Sequence, residues 1–308
     1  MAGQMHARLA TVAVCLAAVT AVTGCSGAEQ NAEQAATEDS HAGDTQDVDL
    51  IAELRAVIAH VESEFDVRAG VSVADGQGTF AAGLNGEEPA WSTVKVPIAI
   101  AALRDGASPE LVDLAIKESD NDAAYALWSH VQWTEGDAGS AVKTLLKEFG
   151  SSGEFAEPFG YSTWLLDEQA KFGAHLPCIP EAEQVYDAMD DIVEWQDNGL
   201  DRLPSIRAKG GWGLSETDNE YTHRQIGARE IPGASKGEGG TVGLAIEVTM
   251  PGENVEEAIP ALNLLAKEVD RVVTEALDAG ALKPLVGCAQ SGVVSATAGA
   301  SSSTAAKR

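Results

Sequence analysis

The feature that most restricts the fold is a run of three strand candidates near residues 204–212, 220–228 and 241–249, read in one block. They follow one another through short connections, whereas parallel strands need a helix-sized crossover, so the three are expected to pair antiparallel. Upstream stands a helix over 49–65, where Leu50, Leu54, Val57, Ile58, Val61 and Phe65 recur at helical spacing. Strands over 67–74 and 79–84 flank the turn Asp75-Gly76-Gln77-Gly78. Helices are expected over 92–104, 109–118, 122–131, 139–149, 162–175 and 180–195, and a long one over 254–279. Blocks of strands and helices, rather than strict alternation, indicate an α+β layered domain. Its antiparallel sheet has about five strands, flanked by an N-terminal and a C-terminal helix, with an all-helical lobe between.

The two ends of the chain lie outside that domain. Residues 1–24 have a short basic start, His6 and Arg8, and then an uncharged apolar run from Leu9 to Val22. The run is short for a membrane span and reads as an export signal. It ends in Val22-Thr23-Gly24-Cys25. Residues 25–48 are acidic and lack aromatic residues, the composition of a disordered tether. Residues 289–308 are Ala, Ser, Gly and Thr for the most part, a disordered tail. The folded domain is therefore expected over 49–288. Export would leave Cys178 and Cys288 in an oxidising compartment, where a disulfide is the default reading and two buried thiols the alternative. The cysteines and six histidines form no metal-binding spacing, so no metal or organic cofactor is expected. The formal charge of −28 disfavours nucleic acid as a partner.

Three short motifs carry chemistry. Ser92-Thr93-Val94-Lys95 opens a helix and sets a hydroxyl and an amine one turn apart on one face. A buried lysine has a lowered pKa and accepts a proton from a serine more readily. Ser140-Ala141-Val142-Lys143 has the same spacing, so the pattern alone is cheap. Ser119-Asp120-Asn121 stands at a helix start, where all three residue types also serve as caps. Lys209-Gly210-Gly211 lies on the first of the three late strands.

Taken together and in this order, these motifs resemble those of the serine β-lactamase and penicillin-binding protein superfamily: S-x-x-K, then S-D-N, then K-T-G. Ser119 to Ala124 is similar to the class A β-lactamase segment around its second motif, and the resemblance spans about 49–285. It implies the β-lactamase/transpeptidase-like fold and a Ser92 acyl-enzyme, with a cell-wall peptide, β-lactam or related amide or ester as substrate. Lys95 would be the base, Ser119 the proton donor to the leaving group, and Asn121 a substrate and Lys95 partner. Lys209 would set the field of the cleft and help to anchor a substrate carboxylate, and the backbone N–H groups of Ser92 and Trp212 would form the oxyanion hole. The end of the leader resembles a bacterial lipobox, which implies acylation of Cys25 and a lipid-anchored protein on the extracytoplasmic face of the cell membrane.

The sequence departs from that pattern in three places. The stretch from Lys95 to Ser119 is short, which implies a reduced helical lobe and an open cleft. Gly210 replaces the hydroxyl residue of the third motif, and Arg224 is the candidate cation to compensate. No E-x-x-L-N follows; Glu154, Glu157 and Glu168 read as solvated charges. Deacylation would then be slow and efficient β-lactamase activity disfavoured. The alternative is a catalytically weak or inactive binding lipoprotein that uses the same cleft. Trp91 and Trp212 read equally as cleft walls or core residues; Phe159, Tyr161 and Trp164 read as core, with lining of the same cleft from the helical lobe as the alternative.

Overall fold

The computed structural model describes residues 44–86, 89–215, 219–233, 239–252 and 255–286, with the backbone alone over 44–49. The leader, Cys25, residues 25–43 of the expected tether, Cys288 and the tail lie outside the described residues; the last five tether positions, 44–48, are not irregular but form the start of α1, because the helix runs on ahead of its apolar face. Helix α1 (Asp44–Glu64) leads into strands β1 (Arg68–Ala74) and β2 (Thr79–Gly83). A 3-10 turn, Trp91–Val94, runs into α2 (Lys95–Arg104). Helices α3 (Pro109–Lys117), α4 (Asn121–Glu135), α5 (Ala138–Glu148), α6 (Leu166–His175) and α7 (Glu183–Ala188) follow. Strands β3 (Ile206–Leu214), β4 (Glu220–Ile231) and β5 (Gly240–Pro251) precede α8 (Val255–Asp278), and β6 (Leu285–Val286) is a two-residue addition.

The sheet order is β2-β1-β5-β4-β3, antiparallel throughout, with β6 on β5. This is the α+β antiparallel architecture expected from the sequence. Side chains on a strand alternate between its two faces. On β5, Val242, Leu244, Ile246 and Val248 join Leu54, Val61, Leu262 and Val269 of α1 and α8 in one core. Each fully buried Leu, Ile or Val in such a layer contributes about 1.5–3 kcal/mol. The alternate residues of β5 meet α6: a Cβ at Gly243 would lie 1.9 Å from Ala170 O and 2.4 Å from Ala174 N. Only glycine lets that helix backbone rest on the strand. A second core lies in the helical lobe, with Val112, Ile116, Leu127, Leu145 and Val185 from α3, α4, α5 and α7.

Two helices fall well short of the sequence reading, while α1 and α4 run longer than expected. The one expected over 162–175 begins only at Leu166, because Thr163 bridges Glu154 and Ser162 O accepts the Ala90 N–H at 2.9 Å. The one expected over 180–195 is a turn and six residues of α7. Beyond Ala188, tertiary bonds take over the chain: the Val193 N–H and Gln196 Nε2 both donate to Lys117 O, each at 3.2 Å. Those bonds tie the approach to β3 to the end of α3.

Candidate active site

Ser92 sits in the 3-10 turn that starts α2, and β3 presses on that turn. A Cβ at Gly211 would lie 2.6 Å from Ser92 N, 2.8 Å from Thr93 N and 3.0 Å from Ala90 O. A Cβ at Gly213 would lie 2.6 Å from the Trp91 ring. The two glycines let the strand act as a template for the turn. Trp91 has φ of 49° and Ser119 has φ of 55°, both in the left-handed region. Non-glycine residues are uncommon there, and such strain concentrates at functional sites.

Lys95 is 1% exposed. Its Nζ donates to Asn121 Oδ1 at 2.7 Å, to Ser119 O at 2.5 Å and to Ser119 Oγ at 3.3 Å. Burial lowers its pKa to about 8, with Asp120 acting in the opposite direction. Lys209 is fully buried, and its Nζ donates to Ser119 Oγ at 3.1 Å, Gln196 Oε1 at 3.2 Å and Gly210 O at 2.9 Å. Burial, and then the neighbouring Lys95 charge, lower its pKa to about 7, while Asp201 raises it. Burial pushes the Asp201 carboxyl well above the usual range, and Lys209 pulls it back. Ser119 Oγ therefore stands between two amines that both lose protons near neutrality. Among the described residues Ser92 Oγ makes no hydrogen bond; Lys95 is turned to Ser119 and Asn121. Catalytic hydrogen bonds are often loose before a ligand binds.

The capping and chemical readings of the second motif divide between residues. Asp120 is the cap of α4, accepting the Ala123 N–H at 2.7 Å, while its neighbours Ser119 and Asn121 face Lys95. The decoy motif is capping alone: Ser140 Oγ donates to Asp137, and Lys143 pairs with Glu154 at the surface.

A cavity of about 650 Å³ opens at Ser92 and Asn121. Its walls include Trp91, Tyr125, Tyr161 and Trp212. Trp91 and Tyr161 pack with ring centroids 5.4 Å apart, and Trp212 meets Trp195 edge to face at 5.6 Å. Tyr161 takes the alternative place, half exposed on the cavity wall, whereas Phe159 does both, lining the cavity while it packs against the lobe core beside Trp128. Trp164 is in the core, between Phe155 and Phe172.

Three of the residues predicted to bind substrate do not line this cavity. Gly211 lies beneath, against the Ser92 turn. Gly210 points away: a Cβ there would lie 3.6 Å from His223 Nε2 and 3.6 Å from the Trp212 ring. Arg224 corrects the sequence reading most plainly. It is fully buried on the α6 side of β4, ion-paired with Glu247, and donates to Trp164 O at 3.3 Å. A buried guanidinium needs a buried partner, and Glu247 directly across the ladder supplies it.

The sequence reading missed three residues. Glu157, set aside as a solvated charge, stands on the cavity wall with Ser92. Glu154 and Glu168 do not: the first pairs with Lys143, and the second takes the Ser152 N–H at 2.6 Å and pairs with Lys171. Gln196 links Lys209 to the end of α3. His223 is 3% exposed beside Trp212, with neither ring nitrogen partnered among the described residues. Burial and then Lys209 push its pKa down to about 3, so the ring is neutral. The run Thr222-His223-Arg224-Gln225, four polar residues on a strand covered on both faces, was the available signal.

This sheet, its flanking helices and the lobe that carries Ser119 define the fold of the class A serine β-lactamases. A class A β-lactamase representative from Bacteroides cellulosilyticus superposes with a TM-score of 0.59 at 15% identity, covering 73% of this chain and 99% of its own. A β-lactamase from Burkholderia vietnamiensis superposes with a TM-score of 0.53 at 17% identity, covering 72% and 97%. By sequence, no family model and no curated protein matches.

Proposed function

We propose that the protein is a serine hydrolase that works through a Ser92 acyl-enzyme. The observation that carries this is Ser119 Oγ held between Lys95 Nζ and Lys209 Nζ at 3.3 and 3.1 Å, next to a cavity that contains Ser92. Neutral Lys95 takes the Ser92 proton as Oγ attacks a carbonyl carbon. Ser119 delivers a proton to the leaving group and is replenished by the lysines. The backbone of Ser92, pressed on Gly211, supports the oxyanion. Glu157 is the cavity-wall base that would activate the deacylating water. The substrates are amides or esters, of which cell-wall peptides and β-lactams are the class that the resemblance brings to mind.

The leader and Cys25 support export and a lipid anchor on the extracytoplasmic membrane face. Mass spectrometry of the protein from its membrane would show a diacylated or triacylated Cys25 at the N-terminus; an unmodified or uncleaved N-terminus would refute it.

A second reading, a binding lipoprotein with little turnover, is favoured by one observation: Ser92 Oγ has no hydrogen bond to Lys95. One experiment separates the two. Purified full-length protein is incubated with a fluorophosphonate and with a fluorescent penicillin, and adducts are mapped by mass spectrometry. A Ser92 adduct that vanishes in Ser92→Ala supports the hydrolase; no adduct with either probe supports the binding reading.

A further inference from the structure

The cleft is built for a different acyl group from the one its motifs suggest. Among the described residues that line the cavity none is a Lys, Arg or His, and one, Glu157, is acidic. The cations nearby are already committed. An ammonium has three N–H donors. Those of Lys209 go to Ser119, Gln196 and Gly210 O. Lys95 makes its three contacts with Ser119 O, Ser119 Oγ and Asn121. Arg224 is buried against Glu247 and Trp164 O on the α6 side of the sheet. Position 210 has no hydroxyl, and its missing side chain would point to His223 rather than to the cavity. A ligand carboxylate would therefore meet Glu157 with no free cation in the lining. The formal charge of −28 adds a field of the same sign.

The same lining is rich in aromatic surface. Tyr125 is 56% and Tyr161 51% exposed, on the cavity wall with Trp91 and Trp212. Exposed rings held in a concave site favour flat apolar groups through area burial and offset or edge-to-face stacking. The Tyr161 ring is steadied by Trp91, whose own ring lies on Gly213.

We propose that the cleft takes an uncharged ester or amide whose acyl part carries an aromatic ring, and discriminates against acyl groups that carry a carboxylate. The inference rests on Ser92 being the acylated nucleophile. The reaction is a hydrolysis that consumes one water. Ser92 Oγ bonds to the carbonyl carbon as its proton passes to Lys95, and the bond from that carbon to the leaving group breaks as the leaving group takes a proton through Ser119. Water then displaces the acyl group, which departs as the free acid, and Ser92 Oγ recovers a proton.

The test uses full-length protein and three esters with one leaving group: p-nitrophenyl acetate, phenylacetate and 4-carboxyphenylacetate. The phenylacetate is expected to exceed both others in kcat/KM by about tenfold or more. Tyr161→Ala is expected to raise KM for the phenylacetate by about threefold or more relative to any change in KM for the acetate. Tyr125→Ala, at a separate exposed ring, is a second variant with the same expectation. Equal or faster turnover of the carboxylated ester would overturn the inference, as would variants that act alike on all three esters. Fluorophosphonate labelling of Ser92 is measured alongside. A labelled protein that prefers the carboxylate refutes this inference alone, whereas an unlabelled one refutes the hydrolase reading and this inference with it.

Discussion

Gly210 and Gly211 are adjacent, and alanine at the two positions should have opposite consequences. At Gly211 the new Cβ would be 2.6, 2.8 and 3.0 Å from three backbone atoms of the Ser92 turn, where ordinary contact begins at 3.4 Å. The strand and turn must separate by up to 3.4 − 2.6 = 0.8 Å at the worst contact. Those atoms are backbone in a packed interior, so the strain cannot be shed by a rotamer change. Overpacking of this kind costs about 1–3 kcal/mol, or roughly 2–12 °C in Tm for a domain of this size. The displaced atoms include the backbone of Ser92, the proposed nucleophile, and a shift approaching 1 Å there would cost on the order of a hundredfold in rate. At Gly210 the new Cβ would find its nearest atoms at 3.6 Å, an ordinary contact. Replacing glycine where the backbone allows it restricts the unfolded chain and stabilises by about 0.4–1 kcal/mol. Urea denaturation gives the stabilities, and the rate of fluorophosphonate labelling of Ser92 gives the reactivity. If the two variants agree within about 0.5 kcal/mol and label alike, the placement of β3 against the Ser92 turn is wrong.

Three further outcomes follow from the site. If neutral Lys95 is the base, as proposed, labelling of Ser92 should rise with pH through about 8, the value to which burial brings its pKa. Asp120 raises that pKa, so Asp120→Asn, which retains a capping side chain, should move the inflexion to lower pH; a profile flat from pH 7 to 9, or an inflexion that moves up, would count against Lys95 as base. Ser119→Ala removes the hydroxyl that both lysines share and should slow labelling about tenfold or more in the folded protein, as followed by stopped assays with circular dichroism to confirm folding; full-rate labelling would remove Ser119 from the proton path. Arg224→Ala should cost about 3–5 kcal/mol in a denaturant titration by leaving Glu247 buried and unpaired, and an Arg224→Met/Glu247→Gln protein should recover much of it; a ligand-affinity change without a stability change would restore Arg224 to the cleft.

The linkage for Lys209 has a definite sign. Its folded pKa, about 7, lies below the ordinary lysine value of 10.5, so between those values the unfolded chain binds more protons than the native one. Its burial is therefore most costly at low pH, and its contribution makes the protein more stable as pH rises from about 7 towards 10.5.

Much of the architecture is local information. The apolar spacing of residues 50–65 and 258–276 marks α1 and α8, and the strands between turn residues mark the sheet. Such periodicities survive in a linear reading because each element buries one face against a neighbouring layer. The three motifs were legible for a similar reason: Ser92 and Lys95 share one short helical start, and Ser119 and Asn121 one helix cap. The failures all involve contacts between residues far apart in the chain. Arg224 reads as a cleft cation until Glu247, on the next strand, claims it. Glu157 is the exposed charge that the sequence suggests, but only the fold shows that it stands at the cavity of Ser92. Gly210 and Gly211 are the same residue to any linear reading; the sheet register turns one towards His223 and the other onto the Ser92 turn. By itself, then, the sequence determined most of the elements, their layered class and the three motifs that the fold gathers at one cavity, because periodicity and short spacings act within a few residues. Only the tertiary structure decided which charges are spent inside the fold and which walls a ligand meets, because burial and ion pairing depend on what the other strands and helices bring to the same point.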